Sequence, residues 1–262
     1  MQLTALKSCP NCTSELDEAA QYCSHCGQHA HTHRFDLPHI LHETFHAVTH
    51  ADKGFLHLTR ELALRPGLVA REYIQEGKRK RYFNPFTYLI IVLGILLLVN
   101  SITHPYTQRQ TSTLAKAPSA RVSSPPSPYR ERQAQVSAFF EKNNKLVLLF
   151  AIPIISLAFW LFFRRAGLNY AEHLVANVFF SGFYVLFTAL VLAPLVALLQ
   201  WKAYYNLAQM FFQLIYLAAA YYHFLAYRRP VLYLKTGLAS ACALLLWALF
   251  SGGLVFAYIA LG

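Results

Sequence analysis

The chain has 262 residues, of which 56% are hydrophobic, 15% aromatic and 13% charged, and it carries a net charge of +11 with histidine neutral. Soluble domains hold about 25% charged residues, so one soluble core of this length is excluded, as is a charge-driven disordered chain. The deficit is uneven: residues 1–82 hold 10 Lys/Arg and 9 Asp/Glu, residues 83–262 hold 13 and 3, and Glu172 is the only acidic residue after Glu141.

Cysteines come first in chain order. Cys9-Pro-Asn-Cys12 and Cys23-Ser-His-Cys26 stand ten residues apart, and Gly27-Gln28 follow the second pair. A CxxC knuckle turns tightly enough for both thiolates to reach one ion, and two knuckles complete a tetrahedral shell. The spacing predicts a small zinc ribbon over residues 1–33, with structural Zn²⁺ on Cys9, Cys12, Cys23 and Cys26. A closed four-sulfur shell has no open position for substrate, so this zinc is not catalytic. A redox reading needs a thioredoxin-like context that is absent, and a disulfide reading needs an oxidising compartment. His25 reads as a bystander inside the second knuckle, and Cys242 as a small packing residue in an apolar run. The opening MQLTALKSCP has no apolar core of a cleavable signal peptide.

Residues 34–83 read as cytoplasmic amphipathic and juxtamembrane helices. Nine of twelve histidines lie between His25 and His57. A helix over 37–50 would set His39, His42, His46 and His50 on one face, read as the polar face of an interfacial helix in preference to a second metal site or a pH sensor. Asp52-Lys53-Gly54 then marks a turn, Arg65-Pro66-Gly67 a helix stop and Glu76-Gly77 another. Lys78, Arg79, Lys80 and Arg81 meet Tyr82, Phe83, Asn84 and Pro85, a basic-then-aromatic order suited to anionic headgroups at the cytoplasmic leaflet. Nucleic acid is not an expected partner, because residues 1–82 carry a net charge of only +1.

A helix needs about 20 apolar residues to cross the hydrocarbon core. Uncharged runs predict five spans, near 84–102, 145–163, 173–199, 204–226 and 237–260. The fold class expected is therefore an all-α polytopic membrane protein of about five transmembrane helices with a small N-terminal zinc ribbon. Its parts are the first span at 84–102, an external flexible loop at 103–144, and a four-helix transmembrane region at 145–262. Within that loop, Tyr129–Asn144 has the apolar spacing of a short interfacial helix. Lys78–Arg81, Arg164-Arg165 and Arg228-Arg229 with Lys235 share one side if the spans alternate, which puts the N-terminus in the cytoplasm and the C-terminus outside. Six Lys/Arg in 103–144 oppose this but lie far from the span ends.

Ionisable residues inside spans point to function. Glu172, His173 and Asn177 near the start of the third span, with His223 near the end of the fourth, form a candidate polar cleft open to the cytoplasm. Against it stands a plainer reading, with Glu172 capping a helix and the histidines at headgroup level. No nucleotide-binding, zinc-protease, nucleophile-elbow or prenylation motif occurs.

Cys9-x-x-Cys12, Tyr22-Cys23-x-x-Cys26-Gly27-Gln28, Asp52-Lys53-Gly54, Arg65-Pro66-Gly67, Arg71-x-Tyr73-Ile74-x-x-Gly77-Lys78-Arg79 and Tyr82-x-Asn84-Pro85-Phe86 occur in an order that resembles a bacterial membrane-protein family, domain of unknown function 3667. Tyr170-Ala171-Glu172-His173-Leu174-Val175 resembles a later motif of that family. The resemblance implies a multi-pass protein of the bacterial inner membrane with a cytoplasmic zinc ribbon, and it implies no activity. The function expected is non-enzymatic: the ribbon serves as a structural, interaction or regulatory module for a cytoplasmic protein partner. A transporter or lipid-handling protein ranks second and a membrane-embedded enzyme third.

Overall fold

The computed structural model describes residues 8–17, 20–30, 54–103, 128–199, 204–227 and 230–261. The histidine-bearing helix expected over 37–50 and the loop 104–127 lie outside them.

Helix α1 (Gly54–Leu64) buries Leu58 and Leu62, one turn apart on the same face. Arg65 cannot continue it, because the following proline pushes its backbone out of the α region, and Arg65 sits at φ −150°, ψ 59°. Pro66 then opens helix α2 (Pro66–Ile74) at the first position, where a missing N–H costs nothing. The result is a tight helical hairpin. Gly77, at φ 70°, turns the chain after α2, and the Lys78 N–H returns to the Glu72 carbonyl at 3.0 Å. A 3₁₀ turn, Arg79–Arg81, leads on to α3 (Pro85–Thr103). Asn84 caps α3: its Oδ1 accepts the N–H groups of Phe86 (3.0 Å) and Thr87 (3.3 Å).

Helix α4 (Pro128–Phe162) is 35 residues long, about 52 Å at 1.5 Å per residue. That exceeds the ~30 Å hydrocarbon thickness. The stretch 103–144 is therefore not loop throughout: from Pro128 it is helical and runs unbroken into the apolar residues beyond 145. Pro153 lies inside α4, where Ser156 Oγ donates to the Ile152 carbonyl (2.6 Å) and Tyr170 Oη to that of Pro153 (3.3 Å).

Gly167, in the left-handed region at φ 79°, turns the chain into α5 (Tyr170–Phe187). Fifteen of its 18 residues are buried, so α5 is the central helix. Around it lie α1, α2, α3, α4 and α7 (Tyr205–Phe224). One π-helical turn, Thr188–Leu192, joins α5 to α6 (Ala193–Leu198), and the Ala193 N–H reaches back to Thr188. The widened turn immediately precedes Pro194, whose ring would clash with a carbonyl four residues back in a regular helix. Helix α8 (Val231–Leu261) packs on α4 and α7 at the far side of the bundle.

Among the described residues, three helices are long and apolar enough to cross a membrane: Arg79–Val99, Tyr170–Leu195 and Val231–Ala257. Leu146–Phe162 is a shorter apolar helix. Helices occupy all five apolar stretches read from the sequence. On α8, Leu234, Leu238, Leu249 and Phe256 stand exposed, as on a helix turned toward lipid.

Candidate metal centre and buried polar centre

Two backbone turns of the same design build the cysteine site. The Cys9 N–H donates to the Ser14 carbonyl and the Thr13 N–H to that of Cys9; in the second turn Cys23 donates to Gln28 and Gly27 to Cys23, all at 2.8–2.9 Å. Each turn closes on a residue with positive φ, Thr13 at 63° and Gly27 at 69°. Glycine reaches this region freely, whereas a β-branched residue is rare there. Each turn is flanked by an isolated antiparallel bridge, Ser8 with Glu15 and Tyr22 with His29.

The four thiols meet as the spacing predicts. All Sγ atoms of Cys9, Cys12, Cys23 and Cys26 lie within 4.8 Å of one another, with Cys9–Cys26 and Cys12–Cys23 at 3.6 Å. A tetrahedron with 2.3 Å metal–sulfur bonds has edges of about 3.8 Å, so the donor set fits one ion. The thiols differ in acidity. Hydrogen bonds from Ser14, whose Oγ is 3.0 Å from the sulfur, bring Cys12 down to about 6, whereas burial pushes Cys9 up to about 11. His25 is exposed and outside the cluster. Cys242, in the middle of α8, is distant in sequence and is not part of the group.

Against this ribbon sits the basic turn. Gln28 is buried, and its Oε1 accepts the Lys80 N–H at 2.8 Å, across 52 residues of chain. The four cations of the turn have different tasks. Glu72 of α2 holds Lys78 at 3.5 Å and Arg81 at 3.2 Å, and its Oε2 accepts the Tyr82 hydroxyl at 2.5 Å. Lys78 also pairs with Glu76 at 2.7 Å, which lowers the Glu76 carboxyl and raises the Lys78 ammonium from their ordinary values. Glu72 is therefore the hub of the turn, a residue that charge counting passes over because it is one of nine acids in residues 1–82 and a count does not show which cations it meets. Lys80 remains exposed toward solvent.

The second centre lies within the bundle. His173 and Asn177, one turn apart on α5, are both fully buried. Asn177 Nδ2 lies 2.7 Å from Tyr221 Oη on α7, 3.1 Å from Ser156 Oγ on α4 and 3.0 Å from the His173 carbonyl. Tyr221 Oη is also 3.4 Å from His173 Nδ1, and its ring stacks on Phe159 with centroids 3.6 Å apart. With Tyr221 accepting from Asn177 and donating its hydroxyl hydrogen bond to Nδ1, Nε2 of the neutral imidazole carries the N–H. His173 Nε2 and Asn177 Oδ1 have no hydrogen-bond partner.

The other residues of the expected cleft stand apart from this pair. Glu172 completes a capping box: Asn169 Oδ1 accepts the Glu172 N–H (2.8 Å), and Glu172 Oε2 accepts the Asn169 N–H (2.7 Å). His223 is exposed, with Nε2 3.2 Å from Tyr233 Oη. Sequence reasoning missed Ser156 and Tyr221. Neither carries a signal of its own, since a serine or a tyrosine in an apolar helix is common.

No curated protein and no solved structure matches the chain. The hairpin α1–α2, the basic turn and most of α3 form one continuous stretch, and it is there that a family model matches. Residues 52–97 match the model of the family described as protein of unknown function (DUF3667), the same family that the sequence motifs resemble.

Proposed function

We propose that this chain is an integral membrane protein whose cysteine ribbon binds a structural Zn²⁺ and serves as a cytoplasmic interaction or regulatory module at the membrane surface. The observation that carries this reading is where the four-cysteine group sits. Gln28 of its second knuckle bonds Lys80, five residues before the first residue of α3, a helix long and apolar enough to cross a membrane. The ribbon is thus attached at the foot of that helix. The basic clusters at 78–81, 164–165 and 228–235 would all fall on one side of five alternating spans, which supports the N-terminus inside and the C-terminus outside. Exposed Lys80 supports contact with anionic headgroups of a bacterial inner membrane. The closed sulfur shell supports a structural metal in place of a catalytic one.

Three measurements test this. Metal analysis of the purified full chain should find one zinc per chain, reduced to background in Cys9→Ser/Cys12→Ser. Single-cysteine labelling from outside, with native cysteines removed, should modify positions in 106–128 and miss those beside Arg164 and Arg228. Strong external labelling beside Arg228 overturns the topology. Crosslinking in cells, followed by mass spectrometry, should lose the protein neighbours of the wild type in the cysteine variant.

A second reading, a transporter or lipid-handling protein, is favoured by one observation, the buried and unpartnered His173 Nε2 and Asn177 Oδ1. Intramembrane polar groups of this kind mark substrate pathways by default. Bound lipid recovered from wild type and absent from His173→Phe, at equal protein level, would favour it.

A further inference from the structure

We infer that occupancy of the four-cysteine site controls how firmly the backbone of the basic turn Lys78–Arg81 is held. The inference rests on the metal reading above and deepens it. Gln28 belongs to both structures at once. Its carbonyl accepts the N–H of Cys23, a proposed ligand residue, at 2.8 Å, while its side-chain oxygen accepts the Lys80 N–H at 2.8 Å. Beside that bond, Lys80 Cε stands 3.9 Å from where a Cβ on Gly27 would be, so the lysine stem lies along the knuckle backbone.

The ribbon has little else to keep it folded. Its buried hydrophobic residues among those described are Cys9, Cys23 and Ala30, and two of these are themselves metal ligands in the proposed shell. A ribbon of this kind takes its folding free energy from the ion. Removing the ion loosens the second knuckle and carries Gln28 away from Lys80. The turn keeps its bonds to Glu72 on one side and loses its backbone anchor on the other. The metal state of the ribbon is then converted into freedom of the backbone that carries four cations next to the membrane.

Limited trypsin digestion of the full chain in detergent tests this, because trypsin cleaves after Lys and Arg. Cleavage at 78–81 is compared between zinc-loaded and chelator-stripped protein, with zinc content measured on each sample and cleavage at Lys235 as internal reference. Stripping should accelerate cleavage at 78–81 roughly tenfold relative to Lys235, the scale set by one partly buried hydrogen bond. Gln28→Ala with zinc retained should be cut as fast as the stripped wild type and respond no further to chelator. Gln28→Glu, which keeps the acceptor oxygen, should restore the slow rate. An unchanged rate at 78–81 in wild type shown to have lost its zinc overturns the coupling and leaves the metal site standing. So does a zinc-loaded Gln28→Ala that is cut as slowly as wild type. Wild type that binds no zinc removes the metal reading and the coupling together.

Discussion

Gly67 of α2 lies against the backbone of Phe224 at the end of α7: a Cβ added to Gly67 would stand 2.6 Å from the Phe224 nitrogen and closer still to the Ala220 carbonyl oxygen. The two helices meet main chain to main chain, in the way small residues allow inside membranes. Gln75 Nε2 donates to the Phe224 carbonyl (3.3 Å), and Tyr216 Oη donates to the Leu62 carbonyl (3.2 Å), so the hairpin is tied to α7 near its turn and at the end of α2. Tyr73 adds an edge-to-face contact with Phe179 of α5, centroids 5.1 Å apart. The segment that matches the DUF3667 model is thus seated in the bundle as an integral part of it.

Gly67→Ala should be strongly destabilising, because the clashing atoms are backbone and cannot swing aside. Overpacking of a filled site costs about 1–3 kcal/mol or more. Gly94, on α3, has nothing within 4 Å of an added Cβ, so Gly94→Ala should be neutral or stabilising by about 0.5–1 kcal/mol through helix propensity. Thermal unfolding of both variants in detergent separates them. Equal Tm values would show that α2 is not seated on α7.

Asn177 and Tyr221 should be energetically coupled. Side-chain hydrogen bonds between membrane helices average about 0.6 kcal/mol in double-mutant cycles and reach about 1.7. A cycle of Asn177→Ala and Tyr221→Phe, read by unfolding in mixed micelles, should fall in that range, since the 2.7 Å bond joins α5 to α7. Strict additivity of the two substitutions would show that the bond contributes nothing. Ser156→Ala removes a longer partner, at 3.1 Å, and should couple to Asn177 more weakly.

Ser14→Ala should slow alkylation of Cys12 in metal-stripped protein, because the Ser14–Cys12 bond spans two residues and does not need the two knuckles to meet. The Ser14 hydrogen bonds are the main reason that this thiol lies at about 6, below its ordinary 9.0. Without the hydroxyl the value rises, the thiolate fraction at pH 7 falls, and the reaction rate falls with it. The rate against pH in wild type should rise through about 6 and level off by neutrality, and the Ser14→Ala midpoint should move upward. Coincident profiles would overturn this assignment of the cause. Zinc should protect all four cysteines, and protection should weaken as pH falls, because protons compete with the ion for the sulfurs.

Several features of this protein follow from local order along the chain. The two CxxC pairs are enough to bring four sulfurs together, because each knuckle is closed by hydrogen bonds within six residues. Helix ends at Arg65-Pro66, Gly77 and Asn84-Pro85 follow from φ restriction, positive φ and a capping side chain, all short-range effects. The apolar stretches show where the long helices run, because the absence of charge over about 20 residues is a one-dimensional property.

Tertiary structure alone decided which polar groups meet. Periodicity placed His173 and Asn177 on one face of α5, yet their partners are Tyr221 and Ser156, while His223, two residues after Tyr221, turns outward to Tyr233. It also decided that Glu72 gathers Lys78, Arg81 and Tyr82, that Gln28 reaches Lys80 across 52 residues, and that α2 lies on a helix 149 residues away at the Gln75–Phe224 contact. The physical reason is the composition of the helices. On a soluble helix a polar face marks the outside, but here the faces turned to lipid and those turned to neighbouring helices are almost equally apolar, so the pattern gives no rotation about the axis. That rotation is set by close fits such as Gly67 on Phe224 and Gly182 on Tyr88, which depend on shape at single positions and leave no periodic trace in the sequence.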